Sequence, residues 1–78
     1  MSKQELTDLI TKAFQSKPIM QTIGFEEDFF DLGASSLTVI DLQLDIEEKL
    51  GVAVPTKTLM GEPTIKGWVD AYSEKVST

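Results

Sequence analysis

A chain of 78 residues has room for one core, and with 41% of its residues hydrophobic that core is near the size at which stability is thin. It contains neither cysteine nor histidine, which excludes disulfides and thiolate metal sites and leaves an independent hydrolase or zinc enzyme hard to build. Thirteen acidic residues against 7 basic ones give a net charge of -6, which repels nucleic acid and anionic membrane surfaces and favours proteins that present basic patches.

The chain starts with an amphipathic pattern. Leu6, Leu9, Ile10, Ala13 and Phe14 recur at helical spacing, predicting a helix from about Ser2 to Ser16. Lys17-Pro18 ends it, because a residue before proline avoids the helical basin. No signal-peptide pattern precedes it and no stretch approaches the length of a membrane span, so the expected location is the cytoplasm. From Ile19 to Ser35 neither helical nor strand spacing organises the apolar residues. A loop this long needs a reason in so small a domain. The expectation is that it crosses the core with Phe29, Phe30 and Leu32 tucked beneath.

A second helix begins at Ser35 or Ser36, either of which can cap it, and runs to Leu50 before Gly51. Val39, Leu42, Ile46 and Leu50 form its core stripe. Leu37, Ile40 and Leu44 form another apolar row, displaced around the cylinder. Because Asp41, Asp45, Glu47 and Glu48 argue against full burial, that second row is read as facing a partner. Val52-Ala53-Val54 reads as an extended connector, and Thr56 to Gly61 as one or two helical turns with Leu59 and Met60. A last helix follows Pro63, capped by Thr64, with Ile65, Trp68, Val69, Tyr72 and Val76 on one face. The fold class is therefore all-α, a single domain over residues 1–78 with three main helices, one short one and a long loop after the first.

The stretch Asp28-Phe29-Phe30-Asp31-Leu32-Gly33-Ala34-Ser35-Ser36-Leu37 carries the chemistry. It resembles the attachment motif of the acyl and peptidyl carrier proteins, in which aspartate, leucine and glycine lead to a serine followed by leucine. Asp41-Leu42, Ile46-Glu47-Glu48, Leu50-Gly51-Val52, Val54-Pro55 and Pro63-Thr64-Ile65 extend the resemblance over roughly Phe25 to Tyr72. It implies a four-helix carrier bundle with 4′-phosphopantetheine, taken from coenzyme A, attached to Ser36, the serine directly before Leu37. A serine at a helix N-terminus suits a phosphodiester, and Gly33 permits a tight turn beside it. The thiol of the arm would carry the thioester, so the protein needs no cysteine, histidine or metal, and no catalytic residue of its own.

The resemblance further implies that partner enzymes meet Leu37, Ile40 and Leu44, with Asp41, Glu47 and Glu48 pairing with their lysines or arginines. The implied partners are a phosphopantetheinyl transferase, an acyl- or aminoacyl-loading ligase or acyltransferase, and synthase modules. The carrier itself is expected to be a monomer. Ser35 stands where fatty-acid carriers usually place aspartate and peptidyl carriers often place histidine. The Phe-Phe-Asp-Leu-Gly stretch and the Val-Pro ending favour carriers of polyketide or non-ribosomal peptide pathways. The initial methionine and lack of flanking linker lead to the expectation of a discrete, non-catalytic subunit.

Other readings stay open on the residues alone. Ser36 in this position can be a plain helix cap, and Ser35 can be the modified serine. The acids of the second helix can be a solvated face. An unmodified carrier-like interaction module would share the fold and charge, whereas an unrelated acidic helical regulator would leave the Asp-Leu-Gly-to-serine spacing unexplained. A calcium loop counted from Asp28 fails, because Phe30 and Leu32 fall where oxygen ligands belong and Val39 where the bidentate glutamate belongs.

Overall fold

The computed structural model describes residues 1–76. Helix α1 (Lys3–Gln15) starts on a reciprocal cap, in which Glu5 N–H donates to Ser2 Oγ at 3.1 Å and Ser2 N–H donates to Glu5 Oε1 at 3.0 Å. The hydrogen bonds from Ser2, backbone first and hydroxyl second, hold the Glu5 carboxyl below its ordinary value. Leu6, Ile10, Ala13 and Phe14 are buried and Leu9 packs at their edge, as the spacing predicts.

The chain then turns at a short 3₁₀ segment (Pro18–Met20) and again at another (Phe29–Leu32), the second capped by Asp28, which accepts from Phe30 N–H at 2.8 Å. The long loop does cross the core: Met20, Ile23 and Phe29 are buried. Two backbone bonds tie it to the far end of the molecule, Phe29 N–H to the Pro63 carbonyl at 2.9 Å and Lys66 N–H to the Phe25 carbonyl at 3.0 Å. The expectation for Phe30 needs correction, since it lies 38% exposed and only its neighbour Phe29 is fully buried. In a 3₁₀ turn residues i and i+3 share a side, so Phe29 and Leu32 face inward together and Phe30 is turned away. Its ring covers Phe29 edge-on at 4.8 Å.

Helix α2 (Ser36–Leu50) ends at Gly51, whose φ of 71° is the left-handed terminator expected of a glycine there. The connector Val52 to Pro55 then leads into α3 (Thr56–Met60), and Thr64 caps α4 (Ile65–Val76) by accepting from Gly67 N–H at 3.0 Å. Helices α1 and α4 pack together, and α2 closes the bundle. At the centre Trp68 meets Phe14 and Phe29 edge-on at 4.9 and 5.8 Å, and its indole N–H donates to the Leu59 carbonyl at 3.1 Å. That bond explains how a helix of only 5 residues is held in place. Among the described residues no helix is long and apolar enough to cross a membrane.

Candidate functional site

The adjacent serines at the start of α2 have different jobs. Ser35 has extended backbone and is the cap: its Oγ accepts from Thr38 N–H at 3.4 Å, and its own N–H donates to Thr38 Oγ1 at 3.2 Å. Ser36 is the first residue inside the helix. It is exposed, and among the described residues its hydroxyl has no hydrogen-bond partner. The capping reading of Ser36 therefore gives way to one in which Ser35 satisfies the helix and leaves the Ser36 oxygen uncommitted.

Gly33 makes this possible. Its φ of 96° closes the Phe29–Leu32 turn and redirects the chain into the helix, a conformation that a side chain would strain. A Cβ there would meet nothing within 4 Å, so backbone conformation and not crowding demands glycine. The backbone amides of a helix's first turn lack intrahelical acceptors, so an anionic phosphodiester on Ser36 Oγ finds donors and a favourable dipole.

Along α2 the two apolar rows separate cleanly. Val39, Leu42 and Ile46 are fully buried and Leu50 lies at the core edge, whereas Leu37, Ile40 and Leu44 are 78%, 42% and 64% exposed. Leu37, Ile40, Asp41, Leu44 and Glu48 follow one another at helical spacing, so they lie on one side of the helix. The four acids differ more than their letters suggest. Asp41 is ion-paired with Lys17, and Asp45 with Lys49 at 3.5 Å. Glu48 is exposed and, among the described residues, without a partner.

Glu47 is committed inward, contrary to its place among the expected partner contacts. Its Oε2 accepts from Val54 N–H at 2.9 Å, the Tyr72 hydroxyl at 3.0 Å and Gln43 Nε2 at 3.2 Å. Gln43 also donates to the Val54 carbonyl at 2.8 Å and accepts from Thr56 Oγ1 at 2.6 Å. These side chains fasten the connector and the start of α3 to α2. Burial, and then the neighbouring carboxylate of Glu47, push the Tyr72 phenol well above its ordinary value. Sequence reasoning read Tyr72 as an apolar core residue and Glu47 as a surface charge; pairing them needs the fold, because they stand 25 residues apart.

The sequence pattern gives Lys17-Pro18 only as a helix stop and Ile19 only as the start of a loop. In the structure these residues face the start of α2, with Ile19 exposed, and line a groove of about 390 Å³ together with Leu37, Thr38 and Asp41.

Comparison with known proteins agrees with this geometry. Residues 4–72 match the family described as a phosphopantetheine attachment site. Among curated proteins the chain is similar to the L-2-aminoadipate reductase large subunit of Candida glabrata, 32% identical over 97% of this chain. It is likewise 33% identical over 90% of its length to surfactin synthase subunit 3 of Bacillus subtilis, and 36% identical over 70% to a linear gramicidin synthase subunit of Brevibacillus parabrevis. The chain spans at most 5% of the length of these relatives, and 1% in the gramicidin case. No solved structure gives a significant match.

Proposed function

This chain belongs to the phosphopantetheine attachment family of carrier domains, and from that membership we propose that Ser36 is the residue that holds its arm. The family attaches 4′-phosphopantetheine covalently and is not itself catalytic, so the protein carries acyl, aminoacyl or peptidyl groups as thioesters between enzymes. The observation that supports Ser36 is the division of labour at the start of α2: Ser35 takes the cap, and the Ser36 hydroxyl is exposed and uncommitted.

The cargo that the comparisons favour is derived from amino acids, since one relative is named for L-2-aminoadipate and others for the synthesis of surfactin and linear gramicidin. The chain would act as a single carrier unit and a monomer, since its core closes within one copy. Its partners would be a phosphopantetheinyl transferase, a loading ligase or acyltransferase, and synthase modules. Dependence on coenzyme A as the source of the arm points to the cytoplasm. The proposed docking face is Leu37, Ile40 and Leu44, with Asp41 and Glu48 as its charges; Glu47 serves it indirectly, by anchoring the connector to α2. Exposed charges of this kind set encounter rate and partner choice more than affinity.

The test is the intact mass of the purified protein after incubation with coenzyme A and a broad-specificity phosphopantetheinyl transferase. A gain of one phosphopantetheine unit is expected for the parent and none for Ser36→Ala. No gain in the parent, while a control carrier loads, would put an unmodified interaction module in its place.

A further inference from the structure

The groove between the Lys17–Ile19 turn and the first turns of α2 shares Leu37 and Asp41 with the proposed docking face and extends beyond it over Lys17, Pro18 and Ile19. Resting on the reading that Ser36 carries the arm, we propose that this groove is a seat for the pantetheine portion of the arm when no partner enzyme holds it.

Position is the first argument. Two grooves of similar size can be weighed against each other. One, about 420 Å³, lies between α3 and α4 and includes no residue of α2 or of the turn that leads to Ser36. The other, about 390 Å³, is bordered by Leu37 and Thr38, the residues immediately after Ser36. Its size falls within the range of small-ligand clefts.

Chemistry is the second argument. Pantetheine alternates apolar and amide segments: a carbon bearing two methyls, then two secondary amides, then the thiol. The groove alternates likewise. Pro18, Ile19 and Leu37 are apolar, with Ile19 47% and Leu37 78% exposed, so both have apolar surface left to cover. Beside them stands the ion pair of Lys17 with Asp41. A lysine ammonium has three donors, and one carboxylate occupies only part of that capacity; an ionised carboxylate accepts at several positions. One amide of the arm can present its carbonyl to Lys17 and the other its N–H to Asp41, leaving the pair intact. The contact surface is small and open, which suits an arm that must leave for each partner.

The experiment begins with isotope-labelled protein loaded from coenzyme A by a phosphopantetheinyl transferase, with loading verified by intact mass. Amide and methyl NMR shifts of the loaded and unloaded forms are then compared, and nuclear Overhauser contacts to the arm's methyl groups are recorded. Shift changes are expected at Lys17, Ile19, Leu37, Thr38 and Asp41, with contacts between the arm methyls and Ile19. In loaded Ile19→Ser, a change at an exposed site, those contacts should vanish and the shift changes at Lys17 and Asp41 should fall by more than half. Loading with changes confined to Ser35–Leu37, or with changes at Thr56 and Met60 instead, overturns the seat and leaves the attachment reading standing. Failure of the parent to load overturns the attachment reading and the seat with it.

Discussion

The two ends of α2 use the same kinds of residue for opposite purposes. At the N-terminal end, polar groups are left over: Ser36 has no partner among the described residues, Leu37 beside it is 78% exposed and Asp41 keeps a surface ion pair. At the C-terminal end the inward-turned ones are used up, Glu47 accepting three hydrogen bonds and Gln43 bridging both the connector and Thr56, while Glu48 beside them stays exposed. Asp41 lies at the surface, where another protein can reach it, whereas Glu47 is part of the fold. Net charge alone does not separate these cases; the hydrogen-bond partners do.

Substitutions at the two ends put this contrast at risk. Glu47→Ala removes one acceptor from three donors, two of them on other elements, and should cost about 2 kcal/mol of unfolding free energy in a denaturant titration, whereas Glu48→Ala should stay within about 0.5 kcal/mol. If the two variants are equally stable, the inward role of Glu47 is wrong. Leu44→Ala should leave stability nearly unchanged yet slow loading by a transferase about tenfold in kcat/KM, the size of effect a central apolar contact carries. Ser35→Ala should cost about 1 kcal/mol through loss of the cap, with Ser36→Ala close to the parent in the same titration.

The smallest effect concerns alkaline pH. Tyr72 is the only tyrosine, and its folded phenol titrates above the ordinary value of 10.0. A raised folded value means that its contribution is fully present below the ordinary value of 10.0 and is lost as pH climbs from there toward the folded value, because the unfolded chain releases the proton first. Stability followed upward from about pH 8 should therefore decline more steeply in the parent than in Tyr72→Phe. Parallel curves would show that the Glu47–Tyr72 bond does not shape the alkaline limb.

Much of this was legible in the residues. Helical spacing placed α1, α2 and α4, because each buries one stripe and leaves the rest to water, and the split between Val39-Leu42-Ile46 and Leu37-Ile40-Leu44 followed from period together with the acids along the helix. The motif leading to Ser36 was equally visible. What stayed hidden depends on rotation and on distant pairing. Two neighbouring phenylalanines look alike until a 3₁₀ turn sends Phe29 inward and Phe30 outward. Two neighbouring serines look alike until backbone conformation makes Ser35 the cap. The Glu47–Tyr72 bond and the Lys17–Asp41 pair join residues 25 and 24 positions apart, which no local pattern encodes.

The most direct test of the division at the start of α2 is to locate the arm by fragmenting the loaded protein in a mass spectrometer, with the parent and Ser35→Ala side by side. The account predicts the added group on Ser36 in both, with Ser35→Ala loaded in full despite its lower stability. Finding the group on Ser35 in the parent would contradict it, and would return Ser36 to a structural role.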